Sequence, residues 1–363
     1  MDKHLQEIFD EIKSKMNEKR EPITVNSKVL IIDGLNTFIR CFAAIPTLND
    51  NGMHIGGICG FLRSIGYAIE ITSPTRVIVV FDGKGGSTRR KKIYPEYKEK
   101  RNPMIRLNRQ DVFTTPDEEK HALVHELVRV VKYLENLPIT LFALDNIEAD
   151  DVIAYIATHV LPNSKIIIMS TDKDFLQLVD DRINVWSPTK KKFYTENSVA
   201  EEFGIPPANM CLFRAIDSKG DKSDNIKGIK GVGSKTIAKK FHLLSERRTV
   251  SLEEVLEYSK SVLKNPKIKD ITHQKILEGK DIIERNIKLM QLRDVDISAN
   301  AKSKILDKVK APVSPLARFP LMKMVIEDKL HAGLPNMEMW LKSHFTKIDR
   351  FALLSQSAEK VNE

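Results

Sequence analysis

The chain has 363 residues, 42% of them apolar and 29% charged, enough for one large domain or two ordinary ones with a sizeable core. That composition excludes disorder, collagen-like repeats and low-complexity architecture. Lys and Arg number 58 against 49 Asp and Glu, a net charge of +9 that favours polyanionic partners, nucleic acid first and membrane surface second.

In chain order, Leu5, Ile8, Phe9, Ile12 and Met16 recur at helical spacing, so residues 1–26 read as an amphipathic N-terminal extension. It has no apolar signal core and too many acids for a transit peptide. Val29–Asp33 is a short apolar run that stops at an acid and a glycine, and Val77–Gly83 repeats the pattern. A helix is predicted over Pro116–Leu137. Ile139–Leu144 is a third run, followed by Asp145, Glu148 and a predicted helix from Asp150 to His159. Lys165–Ser170 is a fourth, followed by Asp172 and Asp174. Continuous β-branched runs alternating with helices predict an α/β fold with a mostly parallel sheet. Cys41, Cys59 and Cys211 are scattered without a CxxC pair, which fits a reducing compartment and neither a disulfide frame nor a zinc site. No run reaches the 18 or more apolar residues of a membrane span. A cytoplasmic protein is expected.

Asp33, Asp82, Glu148 and Asp172 each stand just past the carboxyl end of a predicted strand, where an open parallel sheet forms its ligand crevice. One such acid is ordinarily a turn residue or helix cap. Four in succession, with pairs at two of them, predict a convergent cluster. Asp150 and Asp151 open a helix whose free N–H groups offset part of their charge. Like charges about 4 Å apart repel by roughly 4 kcal/mol at an effective dielectric near 20, so the cluster calls for cations. Hard oxygen ligands select Mg²⁺ or Mn²⁺. A basic protein with an acidic, metal-binding crevice describes a nuclease or polymerase.

Two basic segments supply a grip on phosphates. Lys84–Arg109 holds ten cations, Arg89, Arg90, Lys98 and Arg101 among them, against Glu96 and Glu99, with Tyr94 and Tyr97 interleaved. That mixture suits a single-stranded backbone with stacked bases. In Lys219–Lys240, Gly231 and Gly233 precede a helix start at Ser234, followed by Lys235, Lys239 and Lys240. A glycine turn opening a helix presents amides to a phosphate. Neither segment has P-loop spacing, and no loop has the pattern of an EF-hand. His121 and His125 lack a third ligand and read as a solvated face; Trp186 reads as packing at a strand end.

The motifs IIDGLNT, VVFDGKGGSTRRKKIYPEYKEKRNPM, EADDVIAYIA, STDKDFLQLV, FGIPPANM and GDKSDNIKGIKGVGSKTIAKKF run in series over residues 29–241. In kind and order they resemble the flap endonucleases and 5′-3′ exonucleases. The Trp186-Ser187-Pro188 stretch is similar to the T-even phage ribonuclease H branch, the Gly-Val-Gly-Ser-Lys-Thr turn to the exonuclease domain of bacterial DNA polymerase I. The resemblance implies a PIN-like core over 27–210 with a helical arch at about 89–118. It further implies a helix-two-turn-helix and helical DNA-binding region over 211–300 and a C-terminal helical tail over 301–363. By resemblance, Asp33, Asp82, Glu148 and Asp150 match a first metal site; Asp151, Asp172, Asp174, Asp221 and Asp224 match a second and its surroundings. Lys98 and Arg101 match a catalytic basic pair. Arg89, Arg90, Tyr97, Gly231, Gly233, Ser234, Lys235, Lys239 and Lys240 are the DNA-binding candidates.

The expectation is a monomeric structure-specific 5′ nuclease of replication and repair, with two Mg²⁺ replaceable by Mn²⁺ and a K⁺ at the helix-two-turn-helix. Its expected substrates are DNA with 5′ flaps, nicks or RNA–DNA hybrid ends, including RNA primers; a sliding clamp or single-strand-binding protein is a candidate partner. The setting would be a host cytoplasm if the chain is phage-encoded. A non-catalytic structure-specific DNA-binding protein, a small PIN-type ribonuclease and a nucleotide-binding α/β enzyme are the alternatives.

Overall fold

The computed structural model describes residues 23–99, 108, 112–265 and 270–362. The expected N-terminal amphipathic helix and Arg101 lie outside the described residues, as does most of the central part of the expected arch. Six strands form one sheet: β1 (Lys28–Asp33), β2 (Arg76–Asp82), β3 (Thr140–Leu144), β4 (Lys165–Met169), β5 (Ile183–Ser187) and β6 (Lys192–Tyr194). Their spatial order is β3-β2-β1-β4-β5-β6. All neighbours are parallel except β6, which pairs antiparallel with β5 as an edge hairpin.

The continuous apolar runs have the cause that the sequence suggests. In β1, Val29 and Ile31 face one core while Leu30 and Ile32 face another, and β2 divides in the same way. The first core is closed by the helix Ala149–Tyr155 and by helices from residue 196 onward. The second lies under the helices Gly34–Ala44, Gly56–Thr72 and Pro116–Glu135. The last of these starts as its sequence predicts, with Thr115 and Glu118 in a reciprocal capping box and Pro116 in the first turn. The predicted Asp150–His159 helix is α-helical only to Tyr155 and closes with a π turn over Ile156–Val160.

The region read as a C-terminal tail is part of this second core. Leu321, Trp340, Leu341, Phe345 and Ile348 pack with strand residues Leu30, Val77 and Val79. Each fully buried apolar side chain of this size contributes about 1.5–3 kcal/mol. Arg76, at the start of β2 and only 2% exposed, binds the junction together. Its guanidinium donates to Thr140 Oγ1, to Asn26 Oδ1 at 2.9 Å and to the carbonyl of Val309 at 2.6 Å.

Chain order reverses between β1 and β4. β2 and β3 extend the sheet on one side of β1, and β4 to β6 extend it on the other. At such a switch point the connections leave in opposite directions and open a crevice at the strands' carboxyl ends. Asp33 and the Ser170–Asp174 segment stand there.

Candidate metal centre

Each acid is held by the local structure that carries it. Asp33 ends β1 and caps the helix Gly34–Ala44, accepting from the Asn36 amide; its second oxygen accepts from Ser170 Oγ at 2.9 Å. Asp82 ends β2 and accepts from the Ala149 amide at 2.8 Å, which ties it to the start of the next helix. Asp172 caps the short 3₁₀ turn Lys173–Leu178, accepting from Asp174 N and donating its own amide to Ser170 Oγ. Asp221 folds its loop around one oxygen, which accepts from Ser223 N, Ser223 Oγ and Asp224 N.

These elements converge. Asp172, Asp174 and Asp221 offer oxygens that all lie within 4.8 Å of one another. Asp33 and Asp150 are close enough to Asp172 for mutual repulsion to raise their proton affinity. Burial raises Asp33 to about 7, with Asp172 and Asp82 adding to it. Burial likewise lifts Asp174 to about 8, Asp172, Asp221 and Asp224 adding to it against Arg214. Asp150 and Asp172 are raised for the same reasons. Four acids disfavoured as neighbouring anions make a hard-oxygen site that a divalent cation would relieve. Asp221 is the exception. Against its burial, Ser223 and Arg214 hold its carboxyl below the usual range.

A cationic frame closes the other side, and it changes several assignments. Arg90 is 3% exposed. It forms a two-toothed pair with Asp151, at 2.8 and 2.9 Å, binds Glu148, and donates Nε to the Leu289 carbonyl. Arg90 is therefore not a DNA contact, because all three of its nitrogens are spent inside the protein. Asp151 is not among the convergent acids, because both its oxygens face Arg90, with Arg89 at 3.3 Å. Tyr97 is 2% exposed and donates its hydroxyl to Asp224 at 2.7 Å and Glu148 at 3.2 Å, so it orients acids and stacks on no base. Lys240 is also corrected. Its ammonium binds both oxygens of Asp270 and Thr272 Oγ1, and it holds Asp270 down to about 2 against that residue's burial.

Lys98 Nζ lies 2.5 Å from Glu148 Oε1, inside the acidic crevice. Against the burial of Glu148, Arg90 and Lys98 hold that carboxyl below its ordinary value. Arg89 remains half-buried beside Asp151. Gly231, with φ of +81°, precedes Gly233 and the helix Ser234–Lys240, and Lys235 and Lys239 are exposed on it. Gly228 has no room for a side chain, since a Cβ would stand 1.9 Å from the Asp217 carbonyl.

Sequence reasoning missed three participants. Arg214 bridges Asp174 at 3.1 Å and Asp221 at 2.9 Å, where the pattern gave no sign of a cation among the acids. Ser170 joins Asp33 to the Asp172 turn; its place directly before Thr171-Asp172 was the available signal. Lys275 reaches the glycine turn from a helix more than forty residues on, its Nζ 2.8 Å from where a Gly231 Cβ would stand.

Comparison with known proteins places this geometry. Residues 28–204 match the family described as 5′-3′ exonuclease, N-terminal resolvase-like domain. A 5′-3′ exonuclease of Aquifex aeolicus is 32% identical over 312 residues, covering 83% of this chain and 95% of the relative. The chain belongs to the 5′-3′ exonuclease family.

Within that family, flap endonuclease Xni of Shewanella oneidensis is 32% identical, over 76% of this chain and 94% of the relative. DNA polymerase I of Bacillus subtilis is 32% identical over 70% of this chain, which spans only 27% of that longer protein. The fold matches the bacteriophage T5 flap endonuclease, solved in a pseudo-enzyme–product complex with DNA and metal ions. The TM-score is 0.57 at 20% identity, covering 85% of this chain and 99% of the other. A T5 5′-exonuclease with bound zinc ions matches at 0.56.

The raised acids set a pH dependence for the 5′-3′ exonuclease chain. Asp174 ionises near pH 4 when unfolded and near 8 when folded. Its contribution to stability is thus complete below pH 4 and lost as pH rises through 8. In EDTA, the Asp174→Asn protein is expected to gain on the wild type by at least about 2 °C between pH 5 and pH 9. Added Mg²⁺ should stabilise the wild type, more at pH 9 than at pH 6, and the variant far less. Thermal melts across that range check both signs.

Proposed function

We propose that the chain is a metal-dependent structure-specific 5′ nuclease, cutting flaps and trimming 5′ ends of DNA and of RNA–DNA hybrids, RNA primers included. The observation that carries the reading is the convergence of Asp172, Asp174 and Asp221 at the carboxyl edge of the sheet, beside Asp33 and Asp150. Asp33, Asp82, Glu148 and Asp150 would hold one divalent ion and Asp172, Asp174 and Asp221 a second, with Asp224 nearby; Mg²⁺ is the proposed ion and Mn²⁺ its substitute. Such ions supply Lewis-acid stabilisation and an activated water, the chemistry of two-metal phosphodiester hydrolysis, here giving 5′-phosphate products.

The chain's own residues do the rest. Lys98 brings a cation to the edge of the crevice, placed to balance charge that develops on a phosphoryl group. Arg101 is proposed to join it. Tyr97 and Arg90 fix Glu148 and Asp224 from behind. The Gly228–Gly233 turns, with Ser234, Lys235 and Lys239, are proposed to hold the duplex backbone, with a K⁺ among the turn carbonyls. A sliding clamp or single-strand-binding protein remains a proposed partner, a monomer the proposed state, and the cytoplasm, a host's if the chain is phage-encoded, the proposed setting.

The test is a 5′-flap duplex labelled at its 5′ end and incubated with protein and Mg²⁺. Cutting at the flap junction, abolished by EDTA and restored by excess Mg²⁺, is the expected result. Tight binding with no cutting in Mg²⁺ or Mn²⁺ would instead make the chain a structure-specific binding protein.

A further inference from the structure

A second cleft, of about 230 Å³, opens next to the acidic edge and takes no part in the chemistry above. Its walls come from the helices Gly34–Ala44 and Gly56–Thr72 and from the β5–β6 hairpin. Tyr67 is 48% exposed and its ring centroid lies 6.3 Å from that of Trp186. Phe193, 37% exposed, lies 4.6 Å from Trp186 across the hairpin. Three aromatic rings therefore meet at Trp186, and Tyr67 and Phe193 reach solvent.

Arg40, Arg63 and Lys191 line the same cleft, and among the described residues no carboxylate does. Lys191 is carried at the hairpin tip in the left-handed conformation, with φ of +49°. Two buried donors beside it, Arg40 Nε and Trp186 Nε1, have no hydrogen-bond partner among the described residues, although buried donors are nearly always satisfied.

The cleft neighbours the acidic edge through the helix Gly34–Ala44 and the end of β4. Met169, the last residue of β4, lines it three residues before Asp172. Arg40 stands two turns after Asp33 on the helix that Asp33 caps. Asn36, one turn closer, accepts from Thr171 Oγ1 at 2.9 Å and so links the two regions.

We infer that this cleft binds an unpaired nucleotide of the DNA substrate, its base against Tyr67 and its phosphate on Arg63, Arg40 and Lys191. Aromatic faces accept any base by stacking, and cations without acids among them select a polyanionic backbone. The inference rests on the nuclease reading for the identity of the polymer. It assigns to the chain a second hold on single-stranded substrate, separate from the basic segment Lys84–Arg109.

The test uses a duplex with a short single-stranded tail containing 5-bromodeoxyuridine, in Ca²⁺ so that no cutting is needed. Irradiation followed by peptide mapping should place the cross-link on Tyr67, Trp186 or Phe193. Tyr67→Ala and, separately, Arg63→Glu should each lower the affinity for the tailed duplex, relative to a blunt one, by roughly tenfold. Tyr67 and Arg63 are solvent-reaching, and unchanged melting temperatures verify that the variants fold. Cross-links confined to other peptides, or an unchanged affinity ratio in both variants, would overturn the inference. Because binding and cross-linking are read without turnover, loss of the nuclease reading alone would show separately, as tail-dependent cross-linking in a protein that cuts nothing in Mg²⁺.

Discussion

Asp172→Ala is expected to lower single-turnover flap cutting by at least about a thousandfold, or about 4 kcal/mol of barrier, with duplex affinity within about twofold of wild type. Asp172 is the acid common to both halves of the cluster. Its charge raises Asp33 and Asp150 on one side and Asp174 on the other. Removing it takes a proposed ligand from the centre while leaving the glycine turn untouched. It also removes a repelling charge, so the metal-free variant should melt at or above the wild-type temperature. Lost cutting together with a lowered melting temperature would signal misfolding, and undiminished cutting would refute the assignment. Rapid-quench turnover, fluorescence anisotropy in Ca²⁺ and a melt in EDTA measure the three quantities.

Arg90→Ala should be the most destabilising single change in the basic segment, costing about 3–5 kcal/mol. The guanidinium neutralises Glu148 and Asp151, which are each 2% exposed, and anchors the Leu289 carbonyl. Its loss strands two buried carboxylates. A surface cation gripping DNA would behave in the opposite way, lowering affinity and its salt dependence with no change in melting. Arg90→Lys should recover only part of the loss, because one ammonium cannot reproduce the paired bonds to Asp151. Chemical denaturation of the three proteins in EDTA separates the two roles.

Much of the architecture is legible in the residues because burial on both faces leaves a plain trace. The strands β1 to β4 are unbroken β-branched runs, and the acids that follow them land on one edge because parallel strands share their carboxyl ends. The edge hairpin β5–β6 is less visible, with only three residues in its last strand. Helices after residue 318 are readable as helices, yet nothing in their pattern says which face of which sheet they cover.

The centre divides in the same way. Residue type and position announce Asp33, Asp82, Asp172 and Asp174. Pairing is what sequence does not carry. Arg90 and Lys98 belong to one cationic segment, and only the fold shows the first enclosed by acids and the second reaching the crevice. Asp150 and Asp151 are neighbours on one helix, and their side chains diverge, one toward Asp172 and Asp33, the other toward Arg90. Arg214 is invisible until Asp174 and Asp221 meet around it.

The bond from Arg76 to the Val309 carbonyl joins residues 233 apart, and the apolar face beside it is sealed by side chains between 321 and 348. Such separations mean that the second core closes only after residues far beyond the last strand have been made. Until residues 321–348 are made, the part of that core they cover stays open to water, although the earlier helices already cover the rest, so the nascent chain carries an apolar patch after its strands are complete. Cut out by itself, the segment 28–204 would expose the apolar patch that residues 321–348 cover.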